Sequence, residues 1–472
     1  MFKIALINPL KNKKLNYIPT GICYLSSYLK KNIDHPIQVR IFNIDINSLY
    51  RVIDFGPDLI GFTSFTHNFN LVCRMAEIIK EALPDRKIII GGQHITMAPW
   101  SMPGIYNYGI IGEGERTLSE IVKRLLTKNE DEIKTLPGIQ YWDQNQIIQT
   151  GRCQLIEPLD DIPFPDRDAI DELKDIIDAD HFSWFLKSNL KSLQLTTSRG
   201  CPYKCRFCQP SVMWQKLRQH SPEYIAEEIE HIYKKYHINA LLVEDDLFAT
   251  SKKRLSAIND LLSRKNLTGK IIYYITARTH LIDKDYVELF KELGVVKVEF
   301  GIESGSQEVA RYLKNFNVHT EGDKQAISLL NSAGISVFAS FIAGSPVEKI
   351  EDLKQTEKMI SWIYKSSSKN SCGISLATPL PGTELWNYAE TNGLAKRTNI
   401  NWDHFSALES IPKDISTIIY LNSHIALPKL LKTIKRIRRK IWLGTPTDFI
   451  KALPRRTRKA GERIRRKFKI AG

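Results

Sequence analysis

Short apolar runs that give way to amphipathic helical stretches recur along this chain, and that alternation limits its fold more than any other feature. Candidate strands lie at residues 2–8, 37–46, 59–63 and 87–90, with helical spacing over 21–31 and 71–83. Ile110 and Ile111 then precede a helix over 117–126. Strands apolar at nearly every position and separated by helices build a parallel sheet covered on both faces. The rhythm returns further on, with strands predicted at 240–243, 271–276, 296–300, 336–342 and 373–378 and helices starting near Pro222, Lys252, Asp283, Asp323 and Glu351. With the strand that begins at Leu193, these make six βα units, too few for a closed eight-stranded barrel and suited to an open one. The fold class is α/β.

Ligands of parallel sheets lie at the carboxyl ends of the strands, and three turns there look specialised. They are Thr63-Ser64-Phe65-Thr66, Gly91-Gly92-Gln93-His94-Ile95-Thr96 and Gly112-Glu113-Gly114-Glu115. Any one of them could be an ordinary strand-to-helix turn. Three at one end of one sheet point to a binding site, with Gly91 and Gly92 placed where a side chain would block the ligand. His94, the one histidine in these turns, has no second metal ligand beside it. Residues 136–190 break the alternation, and Pro163 and Pro165 among acidic neighbours read as an extended interdomain linker. The divisions predicted are 1–135, the linker 136–190, a barrel over 191–400 and a C-terminal region over 401–472.

Seven cysteines in 472 residues are too few for a disulfide scaffold, yet Cys201, Cys205 and Cys208 fall within eight positions. A C-x3-C-x2-C loop can bring three thiolates to three irons of one cubane. Zinc wants four closed ligands, and no fourth cysteine lies nearby; His220 is too far along the chain. Three structural cysteines are the bland alternative. Three protein ligands leave one iron open, which implies catalysis rather than electron storage. The polar groups at the barrel strand ends would face this loop: Glu244-Asp245-Asp246, Thr276, Arg278, Glu299, Glu303 with Ser304, and Gly344-Ser345-Pro346. Carboxyl ends of barrel strands are where such groups gather.

The segment Thr197-Ser-Arg-Gly-Cys-Pro-Tyr-Lys-Cys-Arg-Phe-Cys208 resembles the cluster loop of radical S-adenosylmethionine enzymes. The Gly91–Thr96 and Gly112–Glu115 turns, together with residues 159–166, Glu244-Asp245-Asp246, Gly301-Ile-Glu-Ser-Gly305 and Thr378-Pro-Leu-Pro-Gly-Thr-Glu384, are similar to the recurring segments of the cobalamin-binding subfamily, over about residues 3–410. The resemblance implies a Rossmann-like cobalamin domain, a partial radical S-adenosylmethionine barrel and, beyond them, a basic helical extension. It implies a [4Fe-4S] cluster on Cys201, Cys205 and Cys208, with S-adenosylmethionine on the open iron. Phe207 matches the position near the adenine, Glu244 the one meeting the methionine amino group, and Glu303 or Ser304 the one touching ribose or carboxylate. Gly344 matches the glycine beside the adenine. Thr63, Ser64, Gly91, Gly92, Gly112, Glu113 and Gly114 would line the cobalamin cleft. The chain lacks the Asp-x-His-x-x-Gly loop that places histidine on cobalt in many cobalamin domains.

The function so implied is methylation of an unactivated carbon of a small-molecule or lipid-like metabolite through a 5′-deoxyadenosyl radical, with a one-electron reductant such as flavodoxin or ferredoxin. Radical cyclisation or rearrangement without methyl transfer is the alternative within the subfamily, and a cobalamin-sensing module the non-enzymatic one. A methylthiotransferase would need three more clustered cysteines, and Cys23, Cys73 and Cys153 are scattered. No basic-flanked apolar leader opens the chain and no run of 18 apolar residues occurs, so a cytoplasmic location is expected. The net charge of +15 sits at one end: residues 428–472 hold 17 Lys or Arg against Asp448 and Glu462. Leu427, Leu430, Leu431, Ile434, Ile437 and Ile441 recur there at helical spacing, followed by Trp442 and a second basic run over 455–469. This end reads as a helix packed on the barrel, as a peripheral contact with an anionic membrane, or as a nucleic-acid contact, which the scarcity of aromatic residues disfavours.

Overall fold

In a computed structural model, residues 1–11, 17–178, 190–398, 400–403, 405, 415 and 418–444 are described. The chain divides into two compact units, each assembled from three segments. The first comprises Met1–Ile176, Cys208–His220 and Pro379–Ile419; the second comprises Ile177–Phe207, Ser221–Thr378 and Tyr420–Gly472.

The first unit is a seven-stranded sheet with β1 (Phe2–Pro9), β2 (Ile37–Ile44), β3 (Leu59–Thr63), β4 (Lys87–Gly91), β5 (Tyr108–Ile110), β6 (Ile139–Asp143) and β7 (Gln146–Gln149) in the order 2-1-3-4-5-6-7. The first five pair in parallel, and β6 and β7 add antiparallel to the β5 edge. Ile4, Ala5 and Ile7 of the central β1 are fully buried, as an all-apolar strand requires. Its helices are α1 (Thr20–Asn32), α2 (Tyr50–Phe55), α3 (Phe69–Ala82), α4 (Gln93–Met97) and α5 (Glu115–Leu126). Helix α3 buries Val72, Met75, Ala76 and Ile79, one stripe at three- and four-residue spacing.

The segment read as a linker is largely built into this sheet. Ile139 and Gln140 of the β6–β7 hairpin are fully buried, and the turn is eased by Gln144 at φ +52°. Farther on, Ile156, Leu159 and Ile162 cluster with Tyr24 of α1, and Asp166 donates its N–H to the Cys23 carbonyl at 3.1 Å. Prolines keep this stretch extended, but the apolar residues between them have a helix to pack on.

The second unit carries six parallel strands, each beside its sequence neighbour: β8 (Ser192–Leu195), β9 (Ala240–Val243), β10 (Ile272–Ala277), β11 (Val295–Glu303), β12 (Ser336–Ala343) and β13 (Ser371–Leu376). Between them run α6 (Pro222–Tyr236), α7 (Lys252–Arg264), α8 (Lys284–Leu293), α9 (Gln307–Lys314), α10 (Thr320–Ser332) and α11 (Ile350–Ser366). These are the six βα units that the alternation predicts. Helix α12 (Leu427–Gly444) closes the described chain. It buries Leu430, Leu431, Ile434 and Ile437, and its Arg438 donates to the Ile374 carbonyl of β13 at 3.0 and 3.1 Å. Arg436 and Lys440 pair with Glu357 of α11. The side chain of Trp442 and the run at 455–469 fall outside the described residues. No described helix is long and apolar enough to cross a membrane.

Candidate active site

In the first unit, the three turns meet at the carboxyl ends of β3, β4 and β5. Ser64 ties two of them together: its N–H and hydroxyl both reach the Gly91 carbonyl, at 3.0 and 2.9 Å. Thr96, which ends the second turn but was not expected among the lining residues, ties in the third. Its hydroxyl donates to the Gly92 carbonyl at 2.9 Å and accepts from the Gly112 N–H at 3.0 Å. The glycines answer to this packing. Gly92 sits at φ +95°, and a Cβ there would meet Thr63 Oγ1 at 2.7 Å and the Ser64 backbone at 2.8 Å. At Gly91 a Cβ would contact Ile110 of β5. The turn itself therefore demands glycine at position 92, beside any room the pair leaves for a ligand, while at Gly91 a Cβ would fit in ordinary contact.

Glu113 is buried, and its carboxylate is engaged by the equally buried Arg218, whose Nη1 lies 3.2 Å from Oε2 and also donates to the Ile156 carbonyl at 3.0 Å. A cleft of about 250 Å³ opens beside these turns, lined by Thr96, Gly112, Glu113, Arg152 and Trp214 among others. His94 lies in α4 rather than in a loop. Its ring nitrogens reach Thr66 Oγ1 at 3.2 Å and Ser101 Oγ at 2.9 Å, and Phe69 and Trp402 cover it with centroids at 4.0 and 4.5 Å. Burial holds it down at about 3, a neutral core histidine. It offers nothing to a metal. His220 is also structural, with Nδ1 2.9 Å from Asp160 Oδ1. The placement of three turns at one sheet end beside a cleft suits cobalamin, and neither His94 nor His220 is offered to it.

In the second unit the cysteine loop leaves β8 through a clamp. Asp245, buried at the end of β9, accepts from the Thr197 N–H (2.6 Å), the Ser198 N–H (3.1 Å) and the Ser198 hydroxyl (2.7 Å), and it also bonds the Thr197 hydroxyl. Its neighbour Glu244 stays exposed. None of Cys201, Cys205 and Cys208, the last of which opens the middle segment of the first unit, is in a disulfide, and Phe207 is half-buried. Burial raises the Cys201 and Cys205 thiols, and the Arg278 guanidinium offsets part of that rise. Three reduced thiols in one short loop, with a cation on one of them, are a donor set that fits an iron–sulfur cluster. Among the described residues no three metal-ligating side chains already converge on one point, so the fit rests on the donor set and not on a preformed cage.

Glu303 ends β11 at φ +68°, buried, with its carboxyl pushed up to about 7 by burial. The absence of a side chain at Gly301 leaves room for it. Ser304 is fully buried, its hydroxyl 3.2 Å from Thr356 Oγ1 of α11. Gly344, at φ +89°, faces α12: a Cβ would come within 2.7 Å of Leu430 Cδ2. Its lack of a side chain is thus explained by that helix.

The Radical SAM superfamily model matches residues 195–360, and the B12 binding domain model matches residues 11–122. An uncharacterized methyltransferase of Pyrococcus horikoshii is 27% identical over 426 residues, covering 88% of each chain. The anaerobic magnesium-protoporphyrin IX monomethyl ester cyclase of Cereibacter sphaeroides is 25% identical over 78% of this chain, which spans 60% of the cyclase. Among solved structures, the radical S-adenosylmethionine methyltransferase TsrM from Kitasatospora setae superposes with a TM-score of 0.66 at 17% identity, over 85% of this chain and 77% of TsrM.

Proposed function

We propose that this chain, which belongs to the cobalamin-binding radical S-adenosylmethionine enzymes, methylates an unactivated carbon of a small-molecule or lipid-like metabolite. The observation that carries the reading is the pairing of a B12-binding sheet with a barrel whose first strand leads into three closely spaced cysteines outside any disulfide. When bound, the cluster with S-adenosylmethionine supplies a carbon radical and cobalamin supplies a methyl group. The chain's own residues hold and orient these groups and keep water from them.

Cys201, Cys205 and Cys208 hold the cluster in this reading, and Asp245 fixes the loop that presents them. Phe207 packs beside the adenine, and Glu244, exposed at its strand end, takes the methionine amino group. Glu303 is favoured over Ser304 for the ribose or carboxylate, because the serine hydroxyl is engaged with Thr356. Gly344 keeps only a backbone role, since Leu430 fills the space before it. The turns at Thr63 and Ser64, Gly91 and Gly92, and Gly112 to Gly114 present backbone to the cobalamin. Glu113 serves by holding Arg218.

The enzyme draws its electron from an external reductant, for which flavodoxin or ferredoxin has the right chemistry. Seven cysteines outside any disulfide suit a reducing cytoplasm. Contact with an anionic membrane would rest on exposed lysines and arginines alone, because the apolar face of α12 is buried. The identity to magnesium-protoporphyrin ester cyclases favours one second reading, radical cyclisation without methyl transfer. Reconstituted protein given S-adenosylmethionine, reductant and cobalamin should release 5′-deoxyadenosine, and replacing all three cysteines with Ala should remove the brown absorbance and that product together. A product heavier by one methylene distinguishes methylation from cyclisation. Release of 5′-deoxyadenosine by the triple variant would refute the assignment.

A further inference from the structure

We propose that Arg278 sets the reduction potential of the cluster on the three-cysteine loop, through a charge-assisted hydrogen bond to Cys205. The inference rests on the assignment of a cluster to that loop. Arg278 is the first residue beyond β10, and its Nη2 donates to Cys205 Sγ at 2.8 Å. Its guanidinium carbon lies 3.6 Å from the centroid of the Tyr203 ring and 5.6 Å from that of Phe316. Tyr203 is held in turn, its hydroxyl 2.7 Å from His280 Nε2, and His280 packs on Phe316 with centroids 4.9 Å apart. The cation therefore rests on the Tyr203 ring, which belongs to the cysteine loop itself, between Cys201 and Cys205, with Phe316 beside both. Its Nη1 is buried and has no hydrogen-bond partner among the described residues, so a second donor of the same fork remains available.

A planar guanidinium stacked on an aromatic face keeps its N–H vectors fixed, which an ammonium on a flexible stem does not. Reduction adds one negative charge to the cluster and its thiolates. A fixed cationic donor on one of those sulfurs stabilises the reduced state more than the oxidised one, and so raises the potential. Lys314 and Glu303 also act on Cys205, with opposite signs. Arg278 donates to the sulfur itself.

The test uses full-length reconstituted protein: wild type, Arg278→Gln, Arg278→Lys and Tyr203→Leu. Iron and sulfide are counted first, and the midpoint potential is then read by electron paramagnetic resonance in a reductant titration without S-adenosylmethionine. Arg278→Gln should lower the reduced fraction at fixed potential about tenfold, a shift of ~59 mV to more negative values for one electron. Arg278→Lys should fall between, and Tyr203→Leu should shift the same way by less. A full cluster with an unchanged midpoint in Arg278→Gln overturns the proposal, as does loss of the cluster from all three variants, which would make the stack an assembly element. A wild type that takes up no iron would instead overturn the cluster assignment itself.

Discussion

Replacing Arg218 with Met should unsettle the first unit far more than a typical single substitution. Arg218 and Glu113 have side chains only 5% and 4% exposed, so the variant leaves a carboxylate in a dry site without its cation. Breaking a buried pair from one side costs about 3–5 kcal/mol. For a unit of this size each kcal/mol moves the melting temperature by ~2–4 °C, so a fall of about ten degrees is expected. Glu113→Gln leaves the opposite charge stranded and should cost a similar amount. The double variant removes both charges and should regain most of the loss, giving a coupling of roughly 2 kcal/mol or more. Thermal unfolding of the four proteins, followed by near-ultraviolet circular dichroism without cobalamin, measures the cycle. Single losses that simply add in the double variant would refute the reasoning. Cobalamin retention provides a second readout. A double variant that folds but no longer binds cobalamin would show that the Glu113 carboxylate meets the ligand and not only Arg218.

Three further outcomes follow from the same structure. His94 is held at about 3 in the folded unit against an ordinary value near 6.5; the unfolded chain therefore binds the extra proton between those values, and stability falls as pH drops through that window, by on the order of 3 kcal/mol at pH 4. Unfolding of wild type and His94→Gln compared across pH should show that share of the acid sensitivity missing from the variant. Gly92→Ala should destabilise the cobalamin-free protein by about 2–4 kcal/mol through the positive φ and the Ser64 backbone; unchanged stability without ligand, with cobalamin lost, would restore the ligand-clearance reading. Removing residues 428–472 should lower the stability of the barrel unit by exposing the strand that α12 covers, as well as abolish any low-salt sedimentation with anionic vesicles; a barrel of unchanged melting temperature would mean the helix is not a packing element.

Most of the βα alternation was legible because the strands are apolar at nearly every position and the helices carry clean stripes, as in β1 and α3. The three-cysteine loop was legible because its ligands are local in sequence. What escaped were contacts between distant segments. Nothing in Gly112-Glu113-Gly114 shows that Arg218 will reach its carboxylate, and Gly344 reads the same whether adenine or Leu430 lies before it. The hairpin at 139–149 was overlooked because only five and four residues form its strands and polar glutamines interrupt them. Arg278 could be placed at a strand end from sequence, but its stacking on Tyr203 needed coordinates.

The three-segment make-up of the first unit has a consequence for how the protein is made. Gln209 reaches the Pro381 carbonyl at 2.9 Å, and Trp402 covers His94 and Phe69. The last of these pieces, Pro379–Ile419, leaves the ribosome long after Ile176, with nearly the whole barrel between. At ~5–20 residues per second, the sheet that opens the chain waits tens of seconds with its aromatic face bare before its last pieces emerge. The barrel strands are synthesised during that wait and can order first. The nascent sheet, still lacking these partners, is the species that a chaperone would meet.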